Sequence, residues 1–157
     1  LVEGEQQRHS GAHTDGFQGG RVPERTKISR SYVVVTNGGT KYYPQPFVAN
    51  LDSLKFNVFE GFDQQILEKD SAPIAEEFQF YFFNAYSVHE AGAAKRAGDR
   101  LFIRLTWEQK LFDRAINTKN RMIDYDWDSV DYDIRSDLVT PSLEDIEASR
   151  LVRGNCE

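Results

Sequence analysis

Apolar and polar residues alternate over several short stretches of the chain, which is the pattern of half-buried β-strands. Asn37, Gly38 and Gly39 follow the first stretch and tolerate positive φ, so we expect a hairpin between the first two strands. Pro44 and Pro46 cannot donate to a sheet ladder, which limits the second strand to an edge or to an extended polyproline-like stretch. The strands that this pattern predicts cover residues 28–36, 41–50, 54–60, 74–88 and 100–107.

The fourth of these segments, residues 74–88, also carries features of a helix. Pro73 and the two acids that follow it within four residues are typical of a first helical turn. The dense run of aromatic rings in residues 78–83 favours a strand instead, because a helix would leave two of those rings outside. We predict a strand that is buried on both faces and pairs with residues 100–107 across the loop at 91–98.

Two further segments have the signals of helices. Thr106 and Gln109, three residues later, form a capping box ahead of an apolar stripe of helical spacing. Near the end of the chain, Thr140 and Pro141 open a second helix, with acids in its early turns and arginines near its end, as the helix dipole favours. The apolar stripe of the first helix consists of Leu111, Phe112, Ala115 and Ile116.

Length and composition match one domain of mainly β class, on the borderline of α+β. The 157 residues suit a single core, and an aromatic content of 13% favours pleated surfaces. The apolar runs are too short for insertion into a membrane. We therefore expect an antiparallel sandwich-like domain with two helices and a polar N-terminal arm.

We call residues 1–27 the N-terminal arm, because their composition differs from that of residues 28–157, the globular domain. The arm is rich in glycine and polar residues and buries too little surface to order itself. Docking of the arm on another subunit would indicate an assembly role, whereas docking on its own domain would remove that argument. The apolar side chains that we expect to dock are those of Leu1, Val2, Phe17 and Val22.

The net charge of −6 is concentrated in the last quarter of the chain, where four basic residues stand against ten acidic ones between Arg121 and Glu157. A nucleic-acid binder needs the opposite sign, clustered on one face, so nucleic acid is not an expected partner. Cys156 is the single cysteine, which excludes an intrachain disulfide and a cysteine-rich metal site.

Asp124, Asp126 and Asp128 alternate with aromatic residues, so on a strand their carboxylates project to one side. Hard cations such as Ca²⁺ prefer several oxygen ligands, which makes these three residues a candidate calcium site. The run fails as an EF-hand loop, because Ser129 and Arg135 stand where a glycine and a glutamate are needed. The competing interpretation, which we favour, is a strand whose charges protect a sheet edge.

Histidine and nucleophile patterns are weak. His9, His13 and Asp15 have a spacing that suits a metal ion on a helix, but the glycine-rich arm predicts no helix, so we attribute the spacing to chance. Ser87 and His89 share one strand face at a separation longer than a hydrogen bond, so they do not form a nucleophile–base pair. We expect no catalytic residue, and Ca²⁺ is the sole candidate cofactor.

The last candidate is the segment at residues 42–47, whose prolines hold an extended backbone. Its rings form a recognition edge for a protein or a sugar, or they cap the core of an edge strand. Together with the arm, this segment favours a non-enzymatic assembly subunit or protein-interaction module that binds a protein partner or forms a homo-oligomer. The alternatives are a Ca²⁺-assisted domain for a ligand such as a carbohydrate, and an enzyme of an unrecognised type. The rings are those of Tyr42, Tyr43 and Phe47.

Overall fold

The computed structural model describes residues 1–5, 11–15, 30–49, 51–52, 55–107, 112–114, 122, 128–130 and 138–151. Within these ranges the chain is mainly β, as predicted, with two antiparallel sheets, one parallel strand pair and two short helices. The strands are β1 (Arg30–Val35), β2 (Thr40–Tyr42), β3 (Tyr81–Asn84), β4 (His89–Ala91), β5 (Phe102–Thr106), β6 (Phe112–Arg114) and β7 (Asp128–Val130). The helices are α1 (Val58–Gln65) and α2 (Leu143–Leu151).

Strand β1 is the centre of the first sheet, which has the order β3-β1-β5 with antiparallel neighbours on both sides. Val33 and Val35 are buried on the inner face of β1, while Tyr32 points to the outer face, as strand alternation requires. The predicted strand at 100–107 is confirmed as β5. Its predicted pairing with residues 74–88 is wrong, because β1 lies between the two strands and pairs with both.

The segment 74–88 contains a strand and no helix, as predicted, and the strand is β3. The expectation that it is buried on both faces is wrong, because β3 is an edge strand with one exposed side. Phe83 is buried, whereas Phe80 and Phe82 on the other side are largely exposed. The hydrophobicity of this segment therefore reflects one buried face and one open apolar face.

The turn after β1 has the positive φ values that its sequence predicts, 54° at Asn37 and 98° at Gly38. It does not close the expected hairpin, because β2 pairs with β4 in a second antiparallel sheet. The buried Asn37 side chain explains the departure. Its amide donates to the carbonyls of Arg96 and Asp99, and its Oδ1 accepts from the Arg96 N–H. These hydrogen bonds attach the turn to the loop that contains Arg96 and Asp99, so the chain leaves the turn in a direction away from β1.

The inner face of the first sheet packs against the second sheet, which gives the sandwich-like arrangement. The Phe83 ring centroid lies 5.3 Å from that of His89 and 6.2 Å from that of Tyr42. Tyr42 and His89 are direct partners across β2 and β4, so their side chains point to the same face.

The predicted strand at 41–50 is wrong in length, because β2 ends at Tyr42, before Pro44. Its expected edge position also does not hold: Lys41 forms a bridge to Ile74 on the side opposite β4, where the Tyr42 N–H donates to the Pro73 carbonyl.

The predicted strand at 54–60 is wrong, because helix α1 begins at Val58. Asn57 caps this helix: its Oδ1 accepts from the Phe59 N–H at 3.1 Å, and its amide donates to the Glu60 carboxylate. The Asn57 side chain thus satisfies the Phe59 N–H, a backbone donor that in a strand would have to pair with a neighbouring strand. The buried residues of α1 then recur at helical spacing, and they are Val58, Gly61, Phe62 and Gln65.

The main core lies between the second sheet and the two helices. Tyr43 and Val88 from the sheet side meet Phe62 of α1 and Ile146 of α2 in one buried cluster. Ala12 of the arm belongs to the same cluster and is only 1% exposed. Since burial of one large apolar side chain is worth about 1.5–3 kcal/mol, this cluster is a major source of the stability of the domain.

The predicted helix after Thr106 is wrong where the structure describes it, because Phe112–Arg114 form β6, parallel to β7. Strand pairing overrides the local helical spacing there, and the rest of that segment lies outside the described residues. The predicted C-terminal helix is confirmed as α2. The Ser142 hydroxyl accepts from the Asp145 N–H, and the Asp145 carboxylate accepts from the Ser142 N–H, which is a reciprocal cap.

The described parts of the arm dock on the domain of their own chain, at two places. The terminal amino group of Leu1 donates to the Gly98 carbonyl at 2.9 Å, and the Gly4 N–H donates to the Ala94 carbonyl at 2.8 Å. Residues 11–15 lie beside β4, with Ala12 in the main core. This docking removes the arm as an argument for assembly with another subunit.

Replacing Asn57 tests the cap of α1. We expect Asn57→Ala to lower the free energy of unfolding by about 1 kcal/mol, because the Phe59 N–H loses its acceptor. Asn57→Asp keeps an acceptor at the same position and should remain close to wild type. Urea denaturation followed by circular dichroism measures both variants. Equal losses in the two variants would show that the cap is not what stabilises the helix.

Removing residues 1–27 tests whether the arm belongs to the fold. We expect the melting temperature to fall by at least about 5 °C, because the main core loses Ala12 and β4 loses its backbone partner. Removing only residues 1–5 should cost less, since those residues contact a surface loop. Differential scanning calorimetry on the three chains decides the matter. A shortened chain that melts with the full chain would contradict the docking described above.

Candidate functional site

The first candidate site lies between the two sheets, where the arm is added to the edge of β4. The His13 N–H donates to the His89 carbonyl at 2.9 Å, and the His89 N–H donates back to the His13 carbonyl at 3.0 Å. This antiparallel bridge places both side chains on one face, with ring centroids 4.5 Å apart. Asp15 reaches the same place, with its Oδ2 3.9 Å from the His89 Nε2.

We call His13, Asp15 and His89 the His–Asp cluster. One potential ligand atom of each residue lies within 4.8 Å of the others. Two imidazoles and one carboxylate are donors that zinc and neighbouring transition metals accept. Within the part of the chain that the structure describes, this is the one group of three such residues at that spacing.

Hydrogen bonds fix the tautomers of both rings. The His13 Nδ1 lies 3.2 Å from the Gly11 carbonyl, and the His89 Nδ1 lies 2.8 Å from the Ser87 carbonyl. Because a carbonyl oxygen only accepts, each Nδ1 carries a proton, and in the neutral form of such a ring the Nε2 holds a lone pair. The Ser87 hydroxyl donates to Asn84, so Ser87 and His89 form no nucleophile–base pair, as predicted.

Arg104 holds the carboxylate of the cluster. Its guanidinium donates to the Asp15 Oδ2 at 2.7 Å. Arg104 pairs with Val33 of β1, so its side chain leaves the inner face of the first sheet and points toward the second. A carboxylate has two oxygens and about four lone-pair positions, so Asp15 can accept from Arg104 and still offer electrons to another group.

Burial sets the protonation of the groups around the cluster. It lowers the pKa of His89 below the ordinary histidine value; His13 and Arg104 act in the same direction, while Asp15 opposes them. The His89 ring is therefore neutral at pH 7, as a metal ligand must be. Burial also raises the pKa of Tyr42 to about 12, so its hydroxyl stays protonated beside His89.

On the opposite face of β4, the buried Glu90 carboxylate joins two lysines. The Nζ atoms of Lys41 and Lys69 lie 3.4 and 3.5 Å from its oxygens. Lys69 also pairs with Asp63 at 3.3 Å, and the Asp63 Oδ1 accepts from the Ala12 N–H at 3.1 Å. This charged network connects the arm, α1 and the second sheet on the core side of the His–Asp cluster.

Acid should weaken the fold through Glu90. Burial by itself would raise its pKa, but the Tyr43 hydroxyl and the ammonium groups of Lys69 and Lys41 outweigh burial and hold the pKa of Glu90 below 4.5. Because the folded-state pKa is the lower one, the stabilisation is complete above pH 4.5 and is lost as pH falls through the folded-state pKa.

Urea midpoints of the wild type and Glu90→Gln, measured from about pH 7 to pH 3, test this prediction. We expect the variant to be less stable at neutral pH and the difference to shrink toward the acid end. A difference that is independent of pH would contradict the assignment of the effect to the charge of Glu90.

The aromatic residues predicted as a recognition edge lie at different depths. Tyr43 is buried in the main core, and Phe47 packs against that core with its ring 5.3 Å from that of Phe62. Tyr42 lies between the two sheets. These positions match the interpretation in which the rings cap the core, and they bring Tyr42, but not the other two, next to His89.

The remaining predicted site residues are only partly within the described ranges. Leu1 is half-buried against the domain, and Val2 is exposed. Asp128 begins β7. The calcium site stays a prediction, because two of its three ligands lie outside the described residues. The predicted site residues that fall outside are Phe17, Val22, Asp124 and Asp126.

The second candidate site is the outer face of the first sheet. The strand register places Phe82 and Leu105 on either side of Tyr32, so the three side chains form a row. The Tyr32 ring lies 5.4 Å from Phe82 and 5.2 Å from Trp107 between centroids. We call this surface the open face, and its exposed apolar residues are Tyr32, Phe80, Phe82, Leu101, Ile103, Leu105 and Trp107.

The open face is large for a single protein chain. Exposure of its residues runs from 39% at Tyr32 to 67% at Trp107. With about 200 Å² for a fully exposed large side chain, the seven residues present roughly 700 Å² of apolar surface. The largest apolar patch of an ordinary monomer is about 300–600 Å², and larger patches mark interaction sites.

Sequence reasoning missed both sites for the same reason. The spacing of His13 and Asp15 was tested against a helix, although residues two apart also project together from an extended chain. The sequence shows alternation in residues 101–105, but alternation does not say which set of side chains faces the core. The strand partners, which are remote in sequence, decide which side of β5 faces the core and which residue lies beside His13.

Comparisons with protein-family models, curated proteins and solved structures find no match to this chain. None of the helices in the described ranges is long and apolar enough to cross a lipid bilayer. Any proposal about the function of this protein therefore rests on the two candidate sites.

Proposed function

We propose that the protein is a non-enzymatic structural subunit that assembles with a second copy of itself through the open face of its first sheet. The observation that supports this proposal most strongly is the exposure of seven large apolar side chains in β3, β1 and β5 and directly beside these strands. Water contact with such a surface is unfavourable by about 25 cal/mol for each Å², so covering the face stabilises the assembly.

The chemistry of the open face favours a second copy as the occupant. Its seven residues are uncharged, so an apolar surface is the best complement for them, and Arg30 and Asn84 add polar groups at one border of the face. Two sheet faces of this kind pack about 10 Å apart, as in a β-sandwich. The net charge of −6 makes two copies repel each other, and contact through the seven apolar residues, which include no acid, keeps acidic groups out of the centre of the interface.

The area of the face also suits a dimer. A stable interface buries about 800 Å² on each partner, which is close to the roughly 700 Å² of apolar side chain presented here. A two-fold axis uses the same patch on both copies, so one face suffices to build the complete interface. Tyr32 on the central strand β1 lies in its middle, where buried aromatic residues contribute most to binding, and Phe82 of β3 packs beside it.

Sedimentation and light scattering test the proposal. We expect the full chain to run at twice the 18.0 kDa of a single chain. Phe82→Lys should weaken the dimer by roughly 100-fold or more, because a two-fold axis places the new charge in the interface twice. Since Phe82 is an exposed edge-strand residue, circular dichroism and the melting temperature of the variant should stay near wild type.

Leu67→Lys is the matched control, since Leu67 is 85% exposed and follows α1, away from the first sheet. It should leave the dimer intact. A wild-type chain that is monomeric over the whole concentration range, or a dimer that Phe82→Lys does not weaken, would contradict assembly through the open face. A monomer that binds a different apolar protein there would also contradict the second copy as occupant.

A further inference from the structure

We propose that His13, Asp15 and His89 bind a divalent transition-metal ion of the zinc class, and that this ion fastens the N-terminal arm to the domain. The inference does not depend on self-association, because the His–Asp cluster lies between the two sheets while the open face is on the outside of the first. It concerns a different site and a different ligand.

The spacing of the cluster is close to that of a metal site. Zinc bonds of about 2.0–2.2 Å in tetrahedral geometry place ligand atoms about 3.3 Å apart. The His89 Nε2 and Asp15 Oδ2 lie 3.9 Å apart, and all three ligand atoms lie within 4.8 Å. Contraction by up to about 1.5 Å, which side-chain rotation can supply, would bring the three groups to zinc distances and leave the fourth tetrahedral position to a water molecule.

The surroundings of the ligands are those that metal-binding histidines require. Ligating imidazoles donate their other ring N–H to a carbonyl or carboxylate, which holds the ring in place. Both rings do so here, through the Gly11 and Ser87 carbonyls, and so present Nε2 as the ligand atom. Such bonding on both rings of a facing pair is a second feature, independent of their distance.

Arg104 provides the outer-shell contact of the carboxylate. Its hydrogen bond orients Asp15 toward the two rings, as outer-shell partners of ligating carboxylates do. The guanidinium also adds a positive charge near the proposed ion, which weakens the binding of a cation. The cluster is therefore suited to a metal that forms strong bonds to imidazole, such as Zn²⁺, Cu²⁺ or Ni²⁺, and not to Ca²⁺ or Mg²⁺.

The position of the ligands in the chain indicates what the ion does. Two ligands come from the arm and the third comes from β4, more than seventy residues away. An ion that needs ligands from both segments binds only when the arm is docked, so it stabilises the folded, docked chain. It also holds the arm at His13, where two backbone hydrogen bonds join the arm to His89 of β4. Metal binding would then strengthen the docking that these bonds and the burial of Ala12 already provide.

Calorimetric titration of the untagged, chelator-treated full chain with ZnCl₂ tests binding. We expect one ion per chain. His13→Gln, Asp15→Asn and His89→Gln should each weaken binding by more than the roughly 10- to 100-fold that loss of an outer-shell partner costs. Co²⁺ gives a second readout, because a four-coordinate site with imidazole ligands produces a visible absorption band that His89→Gln should remove.

Two matched controls separate this site from the other metal-binding side chains of the protein. His9→Gln and Cys156→Ser remove the third histidine and the single thiol, and both should bind Zn²⁺ as the wild type does. Circular dichroism of each metal-free variant shows that it is folded before titration. Absence of saturable Zn²⁺ binding, or loss of binding in a control but not in the three ligand variants, would overturn the site.

Hydrogen exchange tests the fastening of the arm. At about a hundredfold excess of Zn²⁺ over the dissociation constant, the melting temperature should rise by roughly 5–10 °C. The amides of His13 and His89 should exchange more slowly with metal, and His89→Gln should abolish both effects. If Zn²⁺ binds at the cluster but leaves these two amides unchanged, the ion does not fasten the arm, and that half of the proposal is wrong.

Discussion

The pairing of β1 with two antiparallel neighbours is the constraint on which both candidate sites depend. Successive side chains of a strand point to opposite faces, so one register decides the side for every residue of the first sheet. It places Phe83 and Arg104 inward, against the second sheet, and Phe82 and Leu105 outward. A slip of one residue would exchange the two sets, and it would destroy the His–Asp surroundings and the open face together.

The arm has a different role from the one that its composition indicates. Glycine-rich polar chain cannot order itself, yet a few residues suffice when the domain offers a strand edge. His13 pairs with β4, Ala12 fills the core, and Asp63 accepts the Ala12 N–H. The arm therefore pairs with the edge of the second sheet at β4. The open face, and not the arm, is what supports assembly with a second copy.

The two proposals concern opposite sides of one sheet and make separate demands on the protein. Self-association needs a rigid first sheet that presents aromatic residues to a partner, and the buried Val33 and Val35 anchor that sheet from within. Metal binding needs the arm to stay docked, which the Glu90 network also supports from the core side. A structural subunit whose arm is fastened by a metal ion would have a stabilised globular domain and one surface, the open face, for self-association.

The sequence by itself determined the class of the fold, the strands at β1 and β5 and the helix α2. These features depend on neighbours within a few residues: strand alternation, and a helix start after Thr140 and Pro141 with acids in its early turns. Local signals gave a wrong element at two places. Asn57 caps a helix inside a segment whose alternation predicted a strand, and Phe112 lies in a strand pair although its spacing predicted a helix.

Tertiary structure alone decided that β1 separates β3 from β5, that Leu105 faces outward, and that His13 pairs with His89. The physical reason is that strand partners and sheet faces are chosen by hydrogen bonds and burial between residues far apart in the chain, and a linear pattern carries the period of a strand but not the identity of its neighbours.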